Sequence, residues 1–316
     1  MASLNIKRTL GSLLSRTKQC QKKSHRCLSS APSVVEVGKP CEKQSADKSY
    51  STGQTFLHTL FDYRGVILYP WVANVYEMDP EKKIASKKKE IFYQALIDDR
   101  DLEFARKYLK EEKVTYLPSN NTKGLTAIQG LDYVAHDDIL PYTGVDNCPI
   151  EHPCLYHFLK YASFQSPHYK GQPNLYKHPW LKVYDVYREI SENIKVTVIP
   201  AFMGIKDNNY WWRYTIRLEN LGSETVQLRH RSWKIYPKPG APIRKIGRGV
   251  VGEEPVLSPD FPFFQYSSHI SLQSSSGYMR GNYVMEKQDQ TTFKCKIPNF
   301  SLESTIDMDI KNDTID

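Results

Sequence analysis

The sequence has no run of about 18 apolar residues, the length a membrane-spanning helix requires, so no helical bilayer span is expected. Cysteine is sparse, with six residues in 316. Two of these, Cys20 and Cys27, fall in an N-terminal segment of unusual composition. The other four, Cys41, Cys148, Cys154 and Cys295, form no readable disulfide framework, as suits a reducing compartment. The patterns G-x-S-x-G, H-E-x-x-H, the P-loop and C-x-x-C are all missing. Their absence leaves no recognisable nucleophile elbow, zinc-protease helix, phosphate cradle or redox pair. Long stretches of helical periodicity are also scarce, which argues against an α/β enzyme scaffold.

Acidic residues are missing from the N-terminal segment. Residues 1–30 hold seven basic side chains (Lys7, Arg8, Arg16, Lys18, Lys22, Lys23 and Arg26) and no Asp or Glu. Leu10, Leu13 and Leu14 gather on one helical face of that segment, and its apolar runs are too short for a secretory signal. This is the composition of an organelle transit peptide, read here as a mitochondrial presequence, with a plastid address as the alternative. The formal charge of the chain is +8, but without residues 1–30 it holds 36 basic against 35 acidic residues. A nearly neutral remainder weakens any argument for wholesale attraction to nucleic acid. Residues 31–54 are polar, with Pro32, Gly38 and Pro40 and no periodicity, so residues 1–50 read as presequence and disordered linker. Ordered chain is expected from about Phe56.

What the sequence does have is aromatic residues, 21 Tyr, 12 Phe and 5 Trp, which favour strands. RGVILYPWVANVY (64–76) and IFYQALID (91–98) read as strands, with the lysine-laden break DPEKKIASKKKE between them as a hairpin tip. VTYL (114–117) reads as a further strand, and EHPCLYHFLKYA (151–162) as a short helix after Pro153. Short strands with one helix over residues 56–170 suggest a small SH3-like β-barrel. An aromatic connector follows.

Over residues 186–305 the pattern is period two. In YWWRYTIRLENLG, Trp212, Tyr214, Ile216 and Leu218 share the core face, and Trp211, Arg213, Thr215, Arg217 and Glu219 share the other, which predicts a half-buried strand. ENIKVTVIP and TFKCKIPNF alternate likewise. In ETVQLRHRSWKIY the apolar phase switches between Leu228 and Trp233, which calls for a bulge near His230–Ser232. The fold class is therefore mainly β: the barrel, then an immunoglobulin- or fibronectin-like antiparallel sandwich, then an acidic tail at 306–316.

Four features carry possible chemistry. In GRGVVGEEPVLSP, Gly247, Gly249 and Gly252 have the spacing of a dinucleotide fingerprint, which needs a following helix to hold pyrophosphate. Pro255, Pro259 and Pro262 forbid that helix, and Glu253 and Glu254 would oppose phosphate, so the glycines read as turn residues. A nucleotide-processing enzyme would need this loop as its cradle; a residual anion or partner contact centres on Arg248, with Arg244 and Lys245 nearby. The lysines Lys82, Lys83, Lys87, Lys88 and Lys89 could meet phosphate or an acidic partner, or form a solvated tip. Cys148, His152, Cys154 and His157 are zinc-type ligands in a spacing that is not a zinc finger's, interrupted by Pro149 and Pro153. Asp98, Asp99 and Asp101 read as solvated turn carboxylates at a strand end. No catalytic, cofactor or metal site is expected.

Residues 212–304 resemble the ApaG domain through YTIRLENLGSETVQL, SWKIY, GRGVVGEEPVLSP, FQYSSHISLQSSSGYMRGNY and KIPNFSLES. Residues 61–162 resemble the YccV or HspQ-type domain through RGVI, FYQALID, the YVAHDDI block and EHPCLYHF. In this order, joined by HPWL and ENIKVTVIP, the two resemble the polymerase delta-interacting protein 2 family over roughly residues 60–304. One departure is Ser232, where the family pattern has a His before the Trp of SWKIY. The resemblance implies a fibronectin-like sandwich and a non-enzymatic mitochondrial, partly nuclear, adaptor. It further implies DNA polymerase delta's small subunit, the sliding clamp, and mitochondrial DNA-maintenance or protease components as partners. The alternative is a direct nucleic-acid-binding module that uses the lysine-rich segment.

Overall fold

The computed structural model describes residues 38–78, 85–111, 128–144, 149–163, 166–171 and 184–304. The expected strand at 114–117, most of the connector, and Lys82, Lys83 and Cys148 lie outside them.

The first half folds into a curled sheet of β1 (Gly38–Pro40), β2 (Thr55–His58), β3 (Arg64–Met78), β4 (Ala85–Ile97), β6 (Leu131–Ala135) and β7 (Ile139–Gly144), in the order β1-β7-β2-β3-β4-β6. A short helix α1 (Asp99–Ala105) and strand β5 (Leu109–Glu111) follow β4. Phe56, Tyr63, Ile67, Tyr93, Ile97, Val134 and Ile139 fill the inside of the curl. Val66, Leu68, Leu96 and Leu131 on the outside are covered by Ile150, Leu155 and Phe158. The helix expected over 151–162 is a single turn, α2 (Leu155–Phe158), that runs directly into β8 (Leu159–Ser163), which pairs with β9 (Ser166–Gly171).

The chain is ordered earlier than expected. β1 pairs with β7, and Tyr50 is buried against His136 at a ring separation of 5.0 Å. A polar segment has been captured here by one aromatic anchor, whose area outweighs the lack of periodicity. Of the acidic trio, Asp99 is exposed as expected, but the other two depart from expectation. Asp98 and Asp101 are buried, Asp98 caps α1 by accepting from the Arg100 amide at 3.0 Å, and Asp101 accepts from the amide and Nε of Arg64 at 2.8 and 2.9 Å. They fix the helix to the sheet instead of facing water.

The second half is a sandwich. One sheet contains β10 (Asp185–Ser191), β11 (Ile194–Lys206), β12 (Asn209–Asn220) and β16 (Phe263–Leu272). The other contains β13 (Val226–Lys238), β14 (Ile243–Arg248), β17 (Ser276–Lys287) and β18 (Thr292–Glu303), with the short β15 (Val256–Leu257) on β13. Two-residue turns set the register of the first sheet: Glu192 and Asn193, then Asp207 and Asn208, all have positive φ, as the hairpin turn of type I′ demands. Trp212, Ile216 and Leu218 face Trp233, Ile235, Met279, Tyr283 and Phe300 across the core. The bulge in β13 falls between Leu228 and His230, slightly earlier than the phase switch suggested.

The barrel and the sandwich share one sheet. β3 is 15 residues long; its start pairs with β2, and its end, Asn74–Met78, pairs in parallel with β10. A bulge between Ile67 and Tyr69, followed by Pro70, separates those two stretches. β5 makes a second stitch, pairing in parallel with Gln265–Ser267 of β16.

Candidate functional site at the barrel–sandwich seam

The expected half-buried strand β12 is buried on both faces. Arg213, Thr215 and Arg217 are 3%, 2% and 9% exposed, because the barrel packs on the face that alternation assigned to water. Apolar contact comes from Trp71, Phe92 and Tyr133 of the barrel against Val186, Ile199 and Ala201 of the sandwich. Between these lies a polar network centred on Asp132 of β6. Its carboxylate accepts from the Tyr63 hydroxyl, the Gln265 amide and the Tyr133 backbone N–H. Gln265 in turn accepts from Arg217 Nε at 2.9 Å, and Arg217 Nη1 pairs with Asp138. Arg213 donates to Ser267 Oγ at 2.9 Å and lies 5.6 Å from the centre of the Tyr133 ring.

Burial works against both charges of the Arg217–Asp138 pair. Asp138, Glu219 and Asp132 outweigh it for the guanidinium and hold its pKa above the ordinary value; Arg217 and His58 outweigh it for Asp138 and hold that carboxyl below. His58, behind this pair, is driven down to about 4 by burial. Its Nδ1 accepts from the amides of Leu60 and Phe61 at 3.1 and 3.3 Å, so the neutral ring is the form the site holds.

Where the seam opens, a cleft of about 350 Å³ is bounded by β4, β10, β11, β12 and the turn at 136–138. Its charges are matched: Arg188 grips Glu90 with two bonds of 2.9 and 2.8 Å, and Lys195 meets Glu219 at 2.9 Å. Such a cleft can orient polar groups without favouring one sign of charge.

The described part of the lysine segment is strand, not loop tip. Residues 85–90 belong to β4, paired with the end of β3 so that Lys87, Lys88 and Lys89 oppose Tyr76, Val75 and Asn74. Lys88 is neutralised by Glu77 and Glu90, both at 3.0 Å, and Lys87 lies over the Tyr76 ring at 5.4 Å. Lys89 borders the cleft. The β propensity of the tyrosine strand opposite extends the hairpin through residues whose charge suggested a turn.

The glycine loop closes on itself. Val250 and Glu253 exchange two backbone hydrogen bonds of 2.8 Å around Val251 and Gly252, both at positive φ. This is a tight turn between strands, with no helix behind it. At Gly249, φ is +57° and an added Cβ would stand 2.2 Å from the Glu253 carbonyl oxygen. Arg248 and Arg229 both engage Glu254, and Arg229 also reaches Glu286, so these two cations are occupied at the loop, while Arg244 and Lys245 make no ion pair among the described residues. Gly247 lies in β14, against the Arg231 guanidinium. The loop, read as a possible anion contact, is arranged as a carboxylate-bridged turn.

Of the zinc-type residues, His152 has both nitrogens committed, Nε2 to the Gln129 carbonyl at 2.7 Å and Nδ1 to the Cys154 amide at 3.0 Å. Among the described residues, no three His, Cys, Asp or Glu side chains are grouped to hold a metal.

The sequence therefore identified none of the seam residues as a unit. Arg213, Arg217 and Gln265 come from the sandwich and Asp132 and Asp138 from the barrel; the one available signal was arginine alternating with core residues on β12.

Family models match both halves. Residues 48–165 match the model described as hemimethylated DNA-binding protein YccV like, and residues 203–287 match the ApaG domain. The fold is thus that of a YccV-like domain joined to an ApaG domain. The chain is 46% identical over 298 residues to polymerase delta-interacting protein 2 of Homo sapiens and equally to that of Mus musculus, covering 87% of this chain and 81% of theirs. It is 42% identical over 123 residues to protein ApaG of Bradyrhizobium sp. (strain ORS 278), covering 38% of this chain and 94% of that one. The chain belongs to the polymerase delta-interacting protein 2 family.

Replacing Arg217 by Met should strand Asp138 and cost roughly 3 kcal/mol in denaturant unfolding. Adding Asp138→Asn should recover part of that loss, and strict additivity of the two changes would refute the coupling. For His58, the unfolded ring takes a proton near pH 6.5 and the folded ring only near 4, so its stabilising effect is present above 6.5 and lost as pH falls toward 4. Stability should drop by about 2–3 kcal/mol from pH 7 to 4.5, and His58→Asn should flatten that slope; an equal slope in both proteins would refute the assignment.

Proposed function

We propose that the chain is a non-enzymatic adaptor that holds DNA replication and repair proteins, among them DNA polymerase delta through its small subunit and the sliding clamp. The observation that carries this reading is the 46% identity, across 87% of the chain, to two proteins named for interaction with polymerase delta. The architecture is consistent with such a role. Its buried ionisable groups are paired with one another at the seam, and the two halves are stitched into one body that can present fixed surfaces to two partners.

The adaptor is further proposed to work in the mitochondrial matrix, with a nuclear fraction, where DNA-maintenance and protease components are additional partners. The acid-free, basic residues 1–30 support that address. A second reading, direct nucleic-acid binding by the barrel lysines, draws support from the description of the YccV-like model. Of the lysines in the 82–89 segment that the structure describes, it has only Lys87 and Lys89 to work with, since Lys88 is neutralised by Glu77 and Glu90.

Tagged full-length protein should retain purified polymerase delta small subunit, or the clamp, at micromolar concentrations; retention of neither above a bare-resin control would overturn the adaptor reading. Residues 1–50 fused to a fluorescent reporter should carry it into mitochondria. A reporter that stays diffuse in the cytosol would overturn the address.

A further inference from the structure

The second sheet of the sandwich turns its apolar side chains inward, and the residues between them form its outer face. On that face Lys234 of β13 stands opposite Arg244 of β14 on one side and Arg280 of β17 on the other. All three are exposed. One row along, Ser232 and Asn282 lead across to Lys296 of β18. Like charges directly opposite one another on neighbouring strands are destabilising, so this row does nothing for the fold. The first sheet is different: where Lys195 faces a neighbour, that neighbour is Glu219, 2.9 Å away. Lys234, Arg244, Lys245 and Lys294 make no ion pair among the described residues, and Lys296 has Glu189 at 3.3 Å.

The row borders a basin of about 430 Å³ lined by Lys234, Arg280, Lys296, Asn282, Asn299 and Glu189, whose carboxylate is held by Lys296. Its floor is backbone. An added Cβ on Gly281 would stand 2.3 Å from the Ser232 carbonyl oxygen and 3.1–3.2 Å from Ile297 and Trp233 of the core, so glycine is what lets the strands approach beneath the basin. At one end Tyr236 and Tyr278, half-buried, stack with ring centres 4.5 Å apart and planes 10° from parallel. Arg280 lies 5.2 Å from the Tyr236 ring and donates to its hydroxyl at 3.0 Å, and Lys238 lies 5.4 Å from the Tyr278 ring.

We propose that this outer face binds single-stranded nucleic acid, with Lys234, Arg280 and Lys296 on phosphates, the Asn282 and Asn299 amides toward base edges, and the Tyr236–Tyr278 pair as a stacking surface. An excess of exposed cations over carboxylates, beside aromatic rings and side-chain amides, is the combination that tracks a backbone and holds bases. Duplex DNA does not fit. Four strands about 4.8 Å apart make a slab wider than the roughly 12 Å major groove, which admits a helix or a two-stranded ribbon. An acidic protein would use the cations but leave rings and amides idle. The assignment goes beyond the adaptor reading and does not depend on it, because it concerns a different ligand on the outer face of the other sheet.

The test is fluorescence anisotropy of a labelled 20-nucleotide oligo(dT) with the full chain at about 50 mM salt. Saturable binding is expected, with a log–log salt slope of about −2 for three phosphates. K234E/R280E should weaken it at least about 10-fold, and Y236A/Y278A about 10-fold with the slope unchanged. K87E/K89E, on the barrel, should leave affinity within about twofold. K234Q should weaken binding yet raise the melting temperature at low salt by about 1–2 °C, an opposition that a merely structural lysine would not show. The proposal is overturned by absence of saturable binding, by loss in K87E/K89E with retention in K234E/R280E, or by polyglutamate competing as well as oligo(dT) charge for charge.

Discussion

The second face of β12 is the constraint on which the remaining architecture depends. An antiparallel sandwich sheet ordinarily presents one face to solvent, and here that face carries two arginines that the barrel removes from water. Desolvating a guanidinium is costly unless charge and hydrogen bonds meet it in place. Asp138, Gln265 and the Asp132 hub supply both, and they do so only when β6, the turn after it and β16 stand in their observed register. Position and polarity are therefore mutually enforced: the network fixes how the halves dock, and docking keeps the network dry.

The same logic explains what sequence alone could reach. Period-two alternation in β11, β12 and β18 and the phase switch in β13 made the sandwich legible, because each pattern reports a neighbour on the strand's own sheet or across its own core. Arg213 and Arg217 were read as solvent-facing since alternation distinguishes apolar from polar and is silent on what covers the polar side. Asp101 failed for the same reason, its partner Arg64 lying more than thirty positions away. Tyr50 was lost in a polar segment that gives no periodic signal, and Lys87–Lys89 were read as a tip because charge was weighed without the tyrosine strand opposite. Of the candidate site, the sequence exposed individual residues but not their assembly, which is a property of two distant segments meeting.

The glycine loop shows how a motif changes meaning with its surroundings. Its amides are used in a two-residue reversal, and Glu254 bridges Arg248 and Arg229, so the spacing that suggests pyrophosphate serves instead to connect β14 to β15 without strain at Gly249. The absence of a following helix, already dictated by three prolines, is the decisive physical difference.

The long strand β3 has one further consequence. Because its two ends belong to different halves, the hydrogen-bond ladder to β10 continues the ladder that begins at β2, and no swivel of one half can occur without breaking backbone pairs. The Bradyrhizobium ApaG chain, matched along 94% of its length by 38% of this one, has no counterpart of the barrel within that match. The arginine side of β12, covered here by the YccV-like half, thus marks the join between the part of the chain that such a relative matches and the part that it does not.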